Sequence, residues 1–138
     1  MKPSEVLLIE DSAGDALLIT QILEESPIPV RVQHAWDGSE ALLMLETHVS
    51  QPDLVIMDWN MPMVSGSGVL ERYHPANVPV IVFSSSWNEA ERRRSLELGA
   101  QEFVRKPMNL QAFKDAVCGI LERWAGKRPA AGPAGQSA

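Results

Sequence analysis

Polar side chains that could act together follow three apolar segments and one short mixed segment of this sequence, at the point where each segment ends. They are Glu10 and Asp11 after segment 6–9, Asp58 after segment 54–57, Ser84 after segment 80–83, and Lys106 after segment 102–105. Clustered carboxylates repel one another, and in proteins a bound hard divalent cation commonly compensates their negative charge. Oxygen ligands without histidine or thiol indicate magnesium rather than zinc or copper. We therefore predict a magnesium site if the chain brings these residues together.

Such a set of side chains could carry out phosphoryl chemistry. The carboxylate of Asp58 could attack a phosphoryl group and form an acyl phosphate. Lys106 and the cation would neutralise the phosphoryl oxygens, while the hydroxyl of Ser84 donates a hydrogen bond to one of them. Each residue alone has a commoner interpretation, because acids cap helices, serines form turns and lysines lie at surfaces. It is the combination of types, each at the end of a predicted strand, that favours a site.

The elements that must position these residues alternate regularly along the chain. Short, uninterrupted apolar segments are typical of strands buried on both faces, and strict alternation with helices predicts right-handed βαβ units. We expect strands near 6–9, 30–35, 54–57, 80–83 and 102–105, and a helix after each, with Asp37, Asn88 and Asn109 capping the second, fourth and fifth helices. The predicted class is α/β, a doubly wound parallel sheet. The carboxyl ends of parallel strands share one edge, so the polar residues should meet there.

Length, composition and charge limit the classes of protein. The 138 residues suit one domain, and 126–138, rich in Gly, Pro and Ala, are expected to be a disordered tail behind a domain of residues 1–125. We therefore expect no effector domain after it. A net charge of −6 disfavours nucleic acid and anionic membranes. The single cysteine, Cys118, and the lack of a signal-peptide or membrane-length apolar segment predict a cytoplasmic protein.

The motifs together resemble the receiver domain of two-component response regulators. They are the acidic pair 10–11, the stretch 58–66, Ser84, the pair 99–100 and the stretch 103–107, and the resemblance covers about residues 5–125. It implies a flavodoxin-like (βα)5 fold with strand order 2-1-3-4-5. It also implies that Asp58 takes a phosphoryl group from the phosphohistidine of a sensor histidine kinase. On this interpretation the chain is a signalling protein and not an enzyme.

The resemblance also assigns roles to individual residues. It implies that Mg²⁺ is held by Asp11, Asp58 and the backbone carbonyl of Asn60, with Glu10 reaching it through water. Lys106 would contact the phosphoryl group, and its peptide bond to Pro107 would be cis. Ser84 would move toward the phosphoryl group and Phe103 would rotate inward, which changes the face formed by the fourth helix, fifth strand and fifth helix.

The sequence departs from the family pattern in three places. Serine stands at position 84, where threonine is more common, and it keeps the hydroxyl that the reaction needs. The segment between the third and fourth strands is short, which predicts a short third helix. Trp59 is bulkier than usual beside the acceptor, and we expect that it could cover the site.

Partners follow from the resemblance and from the expected lack of an effector domain. A single-domain receiver would act through protein contacts, on a downstream target or a histidine phosphotransferase. Segments 9–12 and 15–18 are similar to the small receivers that partner bacterial phytochromes, which suggests a phytochrome-type kinase and, as a further hypothesis, a homodimer.

Three other classes of protein compete with this interpretation. A magnesium-dependent phosphatase would need a second acid two residues beyond the nucleophile, where this chain has Asn60. A flavodoxin-like cofactor binder would need a phosphate-binding loop after the first strand, where this chain has acids. A structural pseudo-receiver would lack site residues, whereas all five residue types are present.

Overall fold

The computed structural model describes residues 2–73, 77–86 and 88–125, and in these ranges five strands alternate with five helices. The strands are β1 (Ser4–Ile9), β2 (Val30–Ala35), β3 (Leu54–Met57), β4 (Val80–Ser84) and β5 (Glu102–Arg105). The helices are α1 (Ala13–Glu25), α2 (Gly38–Glu46), α3 (Gly66–Arg72), α4 (Glu89–Glu97) and α5 (Leu110–Trp124). The strands form one parallel sheet in the order β2-β1-β3-β4-β5. The predicted class and strand order are confirmed.

Alternate residues of the central strands point to opposite faces of the sheet, and both faces are covered. On one face Leu7, Met57 and Val82 pack with buried residues of α2 and α3. On the other face Leu8 and Phe83 pack with buried residues of α1 and α5. The strands can be apolar throughout because neither face is exposed to water.

Helix starts follow the predicted capping residues. The side chains of Asp37, Asn88 and Asn109 accept hydrogen bonds from backbone N–H groups in the first turns of α2, α4 and α5. Helix α3 has seven residues and is short, as expected. Helix α4 buries Ser95 alone, and Leu96 is 36% exposed, so this helix contributes little apolar packing.

The register of the sheet brings the strand ends to one edge. Ile9 pairs with Met57, and Met57 pairs with Val82. The backbone N–H of Asp58 donates to the carbonyl of Ile9 at 2.9 Å, and that of Lys106 donates to the carbonyl of Ser84 at 2.7 Å. Backbone hydrogen bonds between neighbouring strands therefore fix the positions from which the site side chains project.

Three predictions about local structure have different outcomes. The peptide bond before Pro107 is trans, so the expected cis bond is wrong; the trans isomer is the intrinsically favoured one, and the lysine side chain reaches the acids with it. Trp59 is 6% exposed and packs in the core with α2 and α3. The predicted tail, 126–138, lies outside the described residues.

Within the described ranges, every helix is too short or too polar to span a membrane.

Candidate functional site

The carboxyl edge of the sheet brings the predicted side chains together. The Nζ atom of Lys106 lies 2.8 Å from Oε1 of Glu10 and 3.5 Å from Oδ2 of Asp58. One carboxylate oxygen from each of Glu10, Asp11 and Asp58 lies within 4.8 Å of the other two. Residues separated by up to 96 positions in the chain thus form one cluster.

The members of the cluster differ in their exposure to solvent. Glu10, Asp58, Ser84 and Lys106 are buried, whereas Asp11 is exposed. A ligand from solvent can therefore reach the carboxylates past Asp11, while the acceptor candidate Asp58 remains mostly shielded from water.

The peptide that follows β3 holds the Asp58 carboxylate in place. Oδ1 of Asp58 accepts a hydrogen bond from the backbone N–H of Trp59 at 2.7 Å, which leaves Oδ2 directed toward Lys106. The carbonyl of Trp59 accepts a hydrogen bond from the N–H of Gly66 at 2.8 Å. The Trp59 side chain packs away from the site, so its bulk anchors the loop after Asp58 instead of covering the acceptor.

The charges in the cluster are strongly coupled. Burial raises the pKa of Glu10 to about 7; the hydrogen bond from Lys106 opposes this shift, and the charge of Asp58 adds to it. Burial alone would lower the pKa of Lys106, but hydrogen bonds to Asp15 and Glu10 and the charges of Asp58 and Glu10 outweigh it and raise that pKa. Three carboxylates around a single ammonium leave the cluster with excess negative charge.

The same residues fit a hard divalent cation. The three grouped side chains offer only carboxylate oxygens, which are the ligands that such cations prefer. The charge of Asp58 adds to the rise that burial causes in the pKa of Glu10, and a cation bound between the two carboxylates would oppose that effect. One of the three acids is exposed, which gives a cation a path of entry.

A chain of hydroxyl groups leads from the site to α4. The hydroxyl of Ser84 lies 3.2 Å from that of Ser86, which in turn donates to Glu91 of α4 at 2.9 Å. The side-chain amide of Asn60 donates to the Ser86 hydroxyl at 3.0 Å. Phe103 is buried on β5, beside Val82 in the register of the sheet.

One acid of the cluster was missed in the sequence. Oδ2 of Asp15 lies 2.8 Å from Nζ of Lys106, as close as the carboxylate of Glu10. A signal was available, because Asp15 lies in the first turn of a helix that starts directly after the acidic pair. Its distance from Lys106 in the chain, 91 positions, concealed the contact.

Comparison with known proteins decides the family. The family model described as the response regulator receiver domain matches residues 6–118. The chain belongs to this family. Its sheet order is that of a receiver domain of two-component systems.

Two similar proteins are described as response regulators. Rcp1 of Synechocystis sp. is 30% identical over 131 residues, which cover 88% of this chain and 89% of Rcp1. A structure of Rcp1 in its Mn²⁺-bound form matches with a TM-score of 0.84 over 93% of this chain and 100% of that one. The phosphorylated cyanobacterial phytochrome response regulator RcpA matches with 32% identity and a TM-score of 0.83, over 89% of this chain and 94% of RcpA.

Longer proteins contain the same region. The protein-glutamate methylesterase/protein-glutamine glutaminase of Symbiobacterium thermophilum is 32% identical over 137 residues, which cover 93% of this chain but only 37% of that protein. A receiver domain thus occurs both in proteins of similar length and as part of larger enzymes, so the family alone does not specify the output.

Proposed function

We propose that this receiver domain accepts a phosphoryl group on Asp58 from a sensor histidine kinase and signals through the resulting change in its surface. The observation that supports this most directly is the arrangement around Asp58. Its carboxylate ends a buried strand, lies 3.5 Å from the ammonium of Lys106, and belongs to a group of three acids that fits a divalent cation.

The transfer can be written with all atoms accounted for. An oxygen of the Asp58 carboxylate forms a bond to phosphorus, and the bond from phosphorus to the donor nitrogen of phosphohistidine breaks. The imidazole keeps the electron pair and takes up a proton, and Asp58 becomes a mixed anhydride. With acetyl phosphate as the donor, a phosphorus–oxygen bond breaks and acetate leaves with the electron pair.

The side chains around Asp58 have distinct roles in this proposal. Asp11, Asp58 and the backbone carbonyl of Asn60 would hold Mg²⁺, with Glu10 reaching it through water. The bound cation would offset the negative charge of the acids and of the incoming group. Lys106 would donate to the phosphoryl oxygens. Its ammonium lies 3.5 Å from the Asp58 carboxylate that would carry them. Ser84 donates its hydroxyl to another phosphoryl oxygen and therefore turns away from Ser86.

The signal would leave through the α4-β5-α5 face. Movement of the Ser84 hydroxyl would break its contact with Ser86 and so alter the link to Glu91 on α4. Phe103 would rotate inward on β5 as the space beside β4 changes. The local change of charge is thereby coupled to a surface that a partner can bind.

The proposal also includes partners and a location in the cell, and the comparisons support the choice of kinase. Similarity to RcpA, which is described as a phytochrome response regulator, favours a kinase of the phytochrome type. The protein would act in the cytoplasm on a downstream protein or a histidine phosphotransferase, without nucleic acid or membrane partners. A homodimer is a further hypothesis. It would be a phosphoacceptor and not an enzyme that turns over an external substrate.

Intact mass spectrometry tests the acceptor. The wild type, Asp58→Asn and the control Asp115→Asn would be incubated with Mg²⁺ and acetyl phosphate; Asp115 is an exposed acid on α5 that pairs with Gln111. We expect one phosphoryl group on the wild type and the control, and none on Asp58→Asn. An unmodified wild type with an intact fold would refute the proposal. Sustained hydrolysis of small phosphomonoesters would instead favour a phosphatase.

A further inference from the structure

Asp15 is the carboxylate in the cluster for which the proposed reaction has no role. It lies in the first turn of α1, and its backbone N–H donates to the Ser12 side chain at 3.3 Å. Its Oδ2 accepts a hydrogen bond from Nζ of Lys106 at 2.8 Å. This contact joins α1 to the end of β5 across the top of the sheet.

We propose that Asp15 is a positioning residue that aims the ammonium of Lys106 at the phosphoryl group on Asp58. This inference rests on the proposed function. An ammonium has three N–H groups in a fixed arrangement. Glu10 and Asp15 take two of them at 2.8 Å each, and the third is left toward Asp58 at 3.5 Å. Two short bonds on one side thus orient the third donor.

Asp15 differs from the other two acids around Lys106. Glu10 and Asp58 both belong to the group of three that could hold a cation, whereas Asp15 does not. When a cation occupies the site, Asp58 would bind it directly and Glu10 through water, so both carboxylates would interact with the cation as well as with Lys106. Asp15 is then the carboxylate that continues to interact with Lys106 alone.

Because the side chain of Lys106 is buried, we expect the loss of its hydrogen bond to Asp15 to change the position of the ammonium. The side chain of Lys106 is 5% exposed, so water can replace a lost acceptor only from the pocket beside it. Beside it lies a cavity of about 320 Å³, lined by Asp15, Leu18, Met108 and Phe113 among others. Without Asp15, we expect the ammonium to turn between this cavity and Asp58, and a misplaced group of this kind can slow a reaction by up to about a hundredfold.

A simpler role for Asp15 predicts a different result. An acid in the first turn of a helix stabilises it through the helix dipole, whatever its other contacts. Removal of such an acid would lower the stability of α1 but leave the reaction of the folded protein unchanged. The rate of phosphoryl transfer therefore separates the two roles.

The experiment measures the rate of phosphoryl incorporation against acetyl phosphate concentration, with saturating Mg²⁺, by intact mass. The variants are Asp15→Ala, Asp15→Asn and Asp15→Glu, with Asp115→Asn as a control for the loss of one negative charge. We expect the limiting rate of Asp15→Ala to fall about tenfold and that of Asp15→Asn to fall less, because the amide oxygen still accepts a hydrogen bond. Asp15→Glu should recover most of the loss, because it restores a carboxylate on a side chain that is partly exposed.

The outcomes distinguish this inference from the proposed function. If the wild type takes up no phosphoryl group, the proposed function fails. If the wild type reacts and Asp15→Ala reacts at the same limiting rate, only the positioning role is overturned. It is also overturned if Asp15→Glu is as slow as Asp15→Ala, since the carboxylate would then not be the group that matters. Circular dichroism confirms that each variant is folded. If Asp15→Ala is unstable, Asp15→Asn carries the test, and a limiting rate equal to that of the wild type overturns the positioning role.

Discussion

Substitution of Glu10 by glutamine should make the stability of the protein less sensitive to pH. Glu10 is 1% exposed, and burial raises its pKa from 4.5 to about 7, with the hydrogen bond from Lys106 opposing the shift and the charge of Asp58 adding to it. Glutamine keeps the shape and an oxygen that can accept from Lys106 but has no proton to lose. The difference between the two proteins therefore isolates the cost of ionising this one buried acid.

The sign follows from proton binding in the two states. Between pH 4.5 and about 7, Glu10 holds its proton in the folded chain and loses it in the unfolded chain. Stability is thus present below the unfolded pKa and is lost as the pH rises through the folded pKa. At about 1.4 kcal/mol per pKa unit, the shift corresponds to a total loss of about 3 kcal/mol. About 2 kcal/mol of it falls between about pH 5.5 and about pH 8.

Urea denaturation measures this loss directly. The free energy of unfolding would be determined with chelator at both pH values by tryptophan fluorescence, for which the buried Trp59 is a suitable reporter. We expect the wild type to lose about 2 kcal/mol more than Glu10→Gln on going from the lower to the higher pH. Added Mg²⁺ should stabilise the wild type more at the higher pH, because it binds the deprotonated acids of the folded chain. Equal pH dependence in both proteins would refute the reasoning about Glu10.

Two further predictions concern the packing that supports the site, and urea denaturation checks both. In Gly66→Ala the new methyl group would lie 2.8 Å from the indole and 3.0 Å from the Cα of Trp59, which should destabilise the protein by about 1–3 kcal/mol. Gly14→Ala, with no atom within 4 Å of its methyl group, should be neutral or stabilise α1 by up to about 1 kcal/mol, and equal effects of the two would contradict this interpretation. Phe83→Ala should cost about 3–5 kcal/mol because the ring is buried, while the control Leu17→Ala, at an exposed position, should change stability by less than about 0.5 kcal/mol. A small effect of Phe83→Ala would show that the core on the α1 and α5 side relaxes around the lost ring.

The sequence predicted the sheet because its signals are local. A four-residue apolar segment such as Leu54–Met57 has no exposed face, and only a central strand covered on both sides satisfies it. The capping residues are local signals as well, since each bonds the N–H groups two or three residues later. The convergence of the site then follows from the parallel topology, without knowledge of any particular contact.

The direction of Trp59 could have been predicted but was not. Val55, Met57 and Trp59 are spaced by two residues and share the core with α2 and α3, as period-two alternation requires. The chain keeps the alternation of β3 for two residues beyond the strand. The resemblance drew attention to the position of Trp59 beside the acceptor and away from this periodicity.

The pattern places Asp15 in the first turn of α1, close to the acidic pair, but it does not give the contact of Asp15 with Lys106. The contact depends on how far a lysine side chain on β5 extends across the sheet edge and on the tilt of α1, both of which are set by tertiary packing. The length of a strand also depends on residues that are distant in the sequence. Strand β1 begins at Ser4, before its apolar segment, because Ser4 pairs with Val30 of β2. Such features follow from the neighbouring elements and are not encoded in the segment itself.

The helix linked to the proposed acceptor site is also the one that the core holds least firmly. Helix α4 buries only Ser95. The contacts that hold it include exposed ion pairs, such as that between Arg94 and Glu71, and each such pair contributes at most about 1 kcal/mol. The hydroxyl chain from Ser84 through Ser86 ends on Glu91 of this helix. A phosphoryl group that takes the Ser84 hydroxyl therefore acts on an element that a small free energy can displace. A similar link to α5, whose apolar face is buried along its length, would require far more apolar surface to be exposed for the same movement.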